Sequence, residues 1–190
     1  MMPVLDRFGV LDTLRSDTRL RSTPVIVLTA KILTRNDMAR MQKGVAAVLG
    51  NALFTEAEVI DQVVGALTRA KRLGGEAQRV ARQAMAYIHE HYAEPVSRGD
   101  LARQLAVSER CLTRCFRAET GLTPVGYLTR YRVFRAQTLL EETTLSATEI
   151  GLACGFSDRS CFGRVFQREV GVLPGAYHRG EHRAETRAKP

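Results

Sequence analysis

Apolar positions along this chain follow two rhythms, and the change from one to the other falls near residue 74. Upstream, short branched runs alternate with helical spacing. Asp6–Leu14 has the spacing of a short helix, and Pro24 introduces Val25-Ile26-Val27-Leu28, a run too short and too branched for anything but a buried strand. Asn36–Lys43 returns to helical spacing and Val45–Leu49 is a second short strand. Thr55-x-x-Glu58 then has the form of a capping box opening a helix to about Ala70. Strands alternating with helices predict right-handed crossovers and a parallel sheet. Two strands do not complete such a sheet, so residues 1–70 are expected to form a partial α/β segment with Val25–Leu28 at an edge.

Lys71-Arg72-Leu73-Gly74-Gly75-Glu76 sets two adjacent glycines between helical patterns, which predicts a linker over 71–78. Beyond it every pattern is helical. Val80, Ala84, Ile88 and Tyr92 give one amphipathic helix that ends before Pro95. Ser97-Arg98-Gly99-Asp100 has capping-box spacing and opens a helix with Leu101, Ala102 and Leu105 on one face. After the break at Val107, Ser108 caps a second helix, Glu109–Glu119, whose apolar face is Leu112, Cys115 and Phe116. Two short helices around a tight turn, the second studded with basic residues, match helix-turn-helix geometry.

The same arrangement is written twice. Arg114, Phe116, Gly121, Pro124 and Tyr127 recur fifty positions later as Arg164, Phe166, Gly171, Pro174 and Tyr177. Leu101-Ala102 is answered by Ile150-Gly151, with a one-residue shift at the turn, and Ser146-x-x-Glu149 repeats the cap. Between the copies Thr123 caps, and Pro124 begins, a helix to about Leu140 with Tyr127, Val133, Ala136 and Leu140 inward. Such a helix is expected to hold the two units so that their second helices enter successive major grooves, about 34 Å apart. The predicted fold is an all-α duplicated helix-turn-helix domain over residues 79–179, preceded by a truncated α/β fragment and followed by a flexible tail, 180–190.

Composition narrows the function. Apolar residues make up 45% and charged residues 25%, a soluble globular mixture. No window holds 18 consecutive apolar residues and MMPVLDRFGV has no signal-peptide form, so a cytoplasmic protein without a membrane partner is expected. The net charge of +8 is divided evenly: eleven Lys/Arg against seven Asp/Glu in residues 1–73, seventeen against thirteen in 74–190. Placement must therefore carry any argument for a polyanion. Sixteen of those seventeen are Arg, whose rigid donor fork suits phosphate and guanine, although a G+C-rich genome gives the same bias. Cys111, Cys115, Cys154 and Cys161 sit at helix-face positions and are expected to be reduced and structural. Cys111 and Cys115 share one face without the ligand set of a zinc site. His89, His91, His178 and His182 form no constellation, and no nucleophile or carboxylate pair marks an enzyme. No metal or cofactor is expected.

Residues 136–179, AQTLLEETTLSATEIGLACGFSDRSCFGRVFQREVGVLPGAYHR, resemble the signature of the AraC/XylS family of bacterial transcription regulators, and the likeness extends over 79–179. Departures are Gly151 where Ala is usual, Cys161 for an aromatic, Gly163 for Ser or Thr, and His178 for Arg. Gly151 is expected to loosen the turn, and Gly163 to remove a side chain from the DNA-facing surface. The resemblance implies binding to double-stranded promoter DNA and work with RNA polymerase. It assigns Arg110, Thr113 and Arg114 to base reading and Arg117 to phosphate. In the second unit the matching set is Arg159, Ser160, Arg164 and Gln167. The alternative for each Arg is solvent, or a pair with Glu109, Asp158 or Glu169. Arg130, Arg132 and Arg135 on the central helix either neutralise phosphate or form its wet face.

MMPVLDRFGVLDTLR, TPVIVLTA and GVAAVLGNALF together resemble the second half of a response-regulator receiver domain over residues 1–70. Met2-Pro3 matches the loop after the phosphorylated Asp, Thr29 the switch hydroxyl, and Asn51 the place of an invariant Lys. The acidic pair and phosphoacceptor of that family would fall before Met1. The resemblance therefore implies a two-component lineage, and no phosphorylation of this chain is expected. An alternative reading is a truncated regulator whose exposed remnant makes it a protein-interaction segment or a non-functional product.

Overall fold

A computed structural model describes residues 7–20, 23, 25–29, 45–50, 53–69 and 75–178. Met2, Pro3, the predicted helix Asn36–Lys43, Asn51, residues 70–74 of the hinge region and the tail from Gly180 lie outside the described residues. The chain divides into two compact units, residues 1–90 with 98–124 and residues 91–97 with 125–190. Each holds one helix pair of the repeat.

In the first unit α1 spans Arg7–Ser16, β1 Val25–Thr29, β2 Val45–Gly50 and α2 Glu56–Arg69. β1 and β2 pair in parallel, with a register shift between Val25 and Ile26. That is the pairing alternation of strand and helix demands. Thr29 is the last residue of β1. α2 opens on the expected capping box: Thr55 N–H donates to Glu58 Oε2 at 2.9 Å and Glu58 N–H to Thr55 Oγ1 at 3.3 Å.

Helix α3, Glu76–His91, buries Val80, Ala84 and Ile88 as their spacing predicts. It also buries Gln78 and Arg82, which an apolar pattern does not foretell. Arg82 donates to the Val45 carbonyl at the start of β2, and Gln78 reaches the same oxygen at 3.4 Å and Glu119 Oε1 at 3.0 Å. A buried carbonyl without a partner is costly, and these side chains supply one.

The first pair is α4, Arg98–Gln104, and α5, Glu109–Thr120. Leu101 and Ala102 are buried, as are Leu112, Cys115 and Phe116. The turn between them is a Schellman motif: Val107 N–H donates to Ala102 O at 3.0 Å and Ala106 N–H to Arg103 O at 3.1 Å. Ala106 takes the left-handed conformation this needs, φ 52°.

The second unit contains all but the first residue of α6, Pro124–Glu142, then α7, Ala147–Ala153, α8, Arg159–Val170, and α9, Pro174–His178. Its core gathers Val133, Ala136, Leu140, Ile150, Cys154, Phe156, Phe162, Phe166 and Tyr177. The aromatic rings form a chain, with centroids 5.1 Å apart for Phe156–Phe162, 5.4 Å for Phe162–Phe166 and 5.5 Å for Phe166–Tyr177. Each fully buried Phe contributes about 1.5–3 kcal/mol. Ser146 and Glu149 complete a reciprocal capping box on α7. The turn after α7 repeats the Schellman bonds, Phe156 to Gly151 O and Gly155 to Leu152 O, each at 3.0 Å, with Gly155 at φ 83°.

Two expectations are corrected here. Gly151 does not loosen the turn: a Cβ on it would stand 2.8 Å from Cγ and Cδ1 of the buried Phe162 ring, so the glycine is what admits that ring. Arg132 and Arg135 are not a wet face. Arg132 donates to the carbonyls of Tyr92 and Glu94, each at 2.7 Å, and lies 6.0 Å from the Phe156 ring; Arg135 lies 5.3 Å from the Tyr92 ring. Arg130 pairs with Glu169 at 3.5 Å.

Candidate nucleic-acid interface

The second helix of each pair is capped in its own way. On α5 the Ser108 hydroxyl accepts from Cys111 N–H at 3.2 Å. On α8 the Asp158 carboxylate accepts from Cys161 N–H at 2.7 Å and from the Ser157 hydroxyl at 2.9 Å. Those bonds, the backbone one first, hold the Asp158 carboxyl below its usual range. Both helices end on a left-handed glycine, Gly121 at φ 74° and Gly171 at φ 90°, whose N–H closes on Arg117 O and Gln167 O respectively. Start, length and stop are therefore matched in the two copies.

The caps leave one face of each helix to solvent. On α5, Arg110, Arg114 and Arg117 are exposed and Thr113 is half-buried, its hydroxyl turned back onto Glu109 O at 2.8 Å. These four, with Arg98 and Glu109, line an open depression of about 690 Å³. On α8, Arg159, Ser160, Arg164 and Gln167 are exposed, and Arg164 Nε lies 3.4 Å from Ser160 O. A Cβ on Gly163 would meet nothing within 4 Å, so the surface is flat there.

The carboxylates nearest these arginines have other hydrogen-bond or ion-pair partners, and Asp158 also feels the charge of Arg164. Glu109 accepts from Arg98 at 2.6 Å, Asp158 caps α8, and Glu169 is held by Arg130 and Arg168. Among the described residues no carboxylate forms an ion pair with Arg110, Arg114, Arg117, Arg159 or Arg164. All eight predicted residues thus lie on the two helices expected, four to each. Arg98 escaped sequence reasoning because its partner is eleven residues away. Asp158, which the sequence offers only as an alternative partner for an arginine, carries a legible signal as an acceptor immediately before a helix and serves as its cap.

The sulfur atoms of Cys111 and Cys115 lie 3.8 Å apart on one face of α5, as their spacing predicts. Burial raises the Cys115 thiol, and the Cys154 thiol to about 11. Both side chains pack as small apolar groups.

A helix-turn-helix family profile matches residues 101–180. The solved transcriptional regulator with an AraC-type DNA-binding domain from Chromobacterium violaceum is 34% identical, with a TM-score of 0.51, over 60% of this chain and 96% of that one. This chain belongs to the AraC-type helix-turn-helix family. The solved DNA-binding domain of AdpA in complex with a target DNA is 32% identical, with a TM-score of 0.52, over 57% of this AraC-type chain and 97% of that one. The HTH-type transcriptional activator RhaS of Salmonella schwarzengrund is 37% identical over 121 residues, 63% of this chain. The AraC-type chain spans 44% of that activator's length. Its relatives are regulators of transcription, not enzymes.

Proposed function

We propose that this protein regulates transcription by binding double-stranded promoter DNA through two helix-turn-helix units, with α5 and α8 as recognition helices. The observation that carries the reading is the repeated presentation of unquenched basic side chains on the exposed face of a capped second helix. Arg110, Thr113 and Arg114 read base edges and Arg117 contacts phosphate; Arg159, Ser160, Arg164 and Gln167 form the second set, with Gly163 leaving room for close approach. Each arginine that makes a bidentate guanine contact contributes roughly 1–3 kcal/mol of discrimination. The DNA-bound relative supports the polyanion as ligand. RNA polymerase is the partner through which binding would alter transcription, and the cytoplasm is where both are met. No helix among the described residues is long and apolar enough to cross a membrane.

For residues 1–70 we propose a two-component lineage without a phosphoacceptor in this chain. Parallel β1 and β2 followed by α2 fit the second half of a receiver. Ile60 and Val64, one turn apart on α2, are 62% and 55% exposed, which favours a protein partner at this segment over an inert appendage.

Footprinting on a duplex selected from a random library tests the DNA reading. R114A and R164A should each relax preference at one half-site while circular dichroism stays unchanged. Unaltered sequence preference in both variants would remove the base-reading assignment.

A further inference from the structure

Placing the two units position against position exposes an inversion of charge. The first residue of α8 is Arg159, exposed and cationic; fifty positions earlier the first residue of α5 is Glu109. The first helices are offset by forty-nine, which sets Arg98 of α4 against Ala147 of α7. One unit therefore has a cation at the start of its recognition helix and nothing opposite. Its sister has an anion there and a cation opposite, and the two are joined: Arg98 Nε donates to Glu109 Oε2 at 2.6 Å.

A carboxylate at a helix N-terminus suits the helix dipole. It is badly placed against a phosphate backbone, because that end of a helix is where anions otherwise dock. The Arg98 pair removes the conflict. Only Nε is used, so both Nη groups remain as donors, with no hydrogen-bond partner among the described residues. Arg98 lines the same depression as Arg110, Thr113, Arg114 and Arg117. A guanidinium held along one edge and open along the other presents parallel donors with little conformational freedom left to lose.

Resting on the DNA-binding reading above, we propose that Arg98 is a further DNA contact. It supplies the first unit with the cation that Arg159 supplies to the second, and Glu109 positions it for a backbone phosphate. The first helix of a helix-turn-helix pair crosses the backbone, so phosphate and not a base edge is the chemistry it meets. Arg98 then adds affinity without sequence preference, and while Arg98 is present Glu109 acts by holding it; without Arg98 the carboxylate is left facing the phosphates.

Equilibrium binding of the full chain to a selected duplex, across a salt series, tests this. R98A both removes a phosphate contact and unmasks Glu109. It should bind on the order of tenfold more weakly at moderate salt, equally across sequences, with a log–log salt slope shallower by about one. E109A should stay within about threefold of wild type, and R98A/E109A should bind more tightly than R98A, a coupling that additive side chains do not show. If R98A loses helix content, R98Q keeps the stem and should show the same slope change.

R98A within about twofold of wild type at an unchanged slope overturns the proposal. So does a double variant that binds no better than R98A. Failure of the wild-type chain to bind any duplex in a salt-dependent way would instead overturn the parent reading, and a loss of preference in R114A keeps the two apart.

Discussion

Ala106 and Gly155 occupy one structural position in the two copies, yet substitution at them should move stability in opposite directions. Both are the left-handed residue of a Schellman turn, at φ 52° and 83°. Holding an L-residue there costs about 1–2 kcal/mol. Replacing it with glycine returns that strain but adds roughly 0.5–1 kcal/mol of unfolded-state entropy. Ala106→Gly should therefore stabilise by about 0.5–1 kcal/mol, a rise of a few degrees for a cooperative unit of about 100 residues. Gly155→Ala takes on the same strain and more, since its Cβ would stand 2.7 Å from Ala93 O and 2.9 Å from Tyr92 O, both backbone atoms that cannot swing aside. Adding an overpacking cost of about 1–3 kcal/mol to that net difference of about 0.5–1 kcal/mol gives a loss of about 1.5–4 kcal/mol. Urea denaturation followed by far-ultraviolet circular dichroism measures both. A106G less stable than wild type, or G155A within about 0.5 kcal/mol of it, would refute the assignment of strain and close approach.

Further outcomes follow from the corrected residues. Arg132→Met should cost about 2–4 kcal/mol, because two charge-assisted bonds to the Tyr92 and Glu94 carbonyls vanish; Lys in its place should recover part of that, and equal melting of both variants with wild type would show those bonds to be idle. Gly151→Ala sets a helix-propensity gain of about 1 kcal/mol against overlap with Phe162, and a net loss of about 1 kcal/mol is expected. A gain of the full propensity value in a melting experiment would mean the ring yields freely. Asp158 has a folded pKa held below its usual value, by the Cys161 N–H first. Its contribution is therefore present above the ordinary carboxylate range and lost as pH falls through the lowered value. Asp158→Asn keeps an acceptor that does not titrate, so wild type and D158N should converge in denaturation midpoint on acidification; midpoints that stay parallel would deny Asp158 that role.

The duplicated fold was legible because its markers are local. Ser108, Ser146, Gly121 and Gly171 announce helix ends within four residues, and five matching residues at one spacing disclose the repeat. The exposed faces of α5 and α8 followed from the same periodicity, once Leu112, Phe116, Phe162 and Phe166 fixed the inner sides. What escaped was set by distance along the chain. Arg132 meets Tyr92 across forty residues and Arg82 meets Val45 across thirty-seven. No helical period separates an arginine that seals backbone carbonyls from one in solvent. Gly151 was misjudged for a related reason: the absence of a side chain reads as slack until the group filling the space, Phe162, is seen.

The one-residue difference between the copies has a definite address. Ala106 and Gly155 keep the forty-nine-residue offset of the first helices, whereas the caps Ser108 and Asp158 already have the fifty-residue offset of the second. The supernumerary residue therefore lies in the Phe156–Ser157 stretch, downstream of the turn that ends one rod and upstream of the cap that starts the next. One residue more or fewer there leaves both rods and their end-signals intact, so that junction is where the two halves tolerate a difference in length.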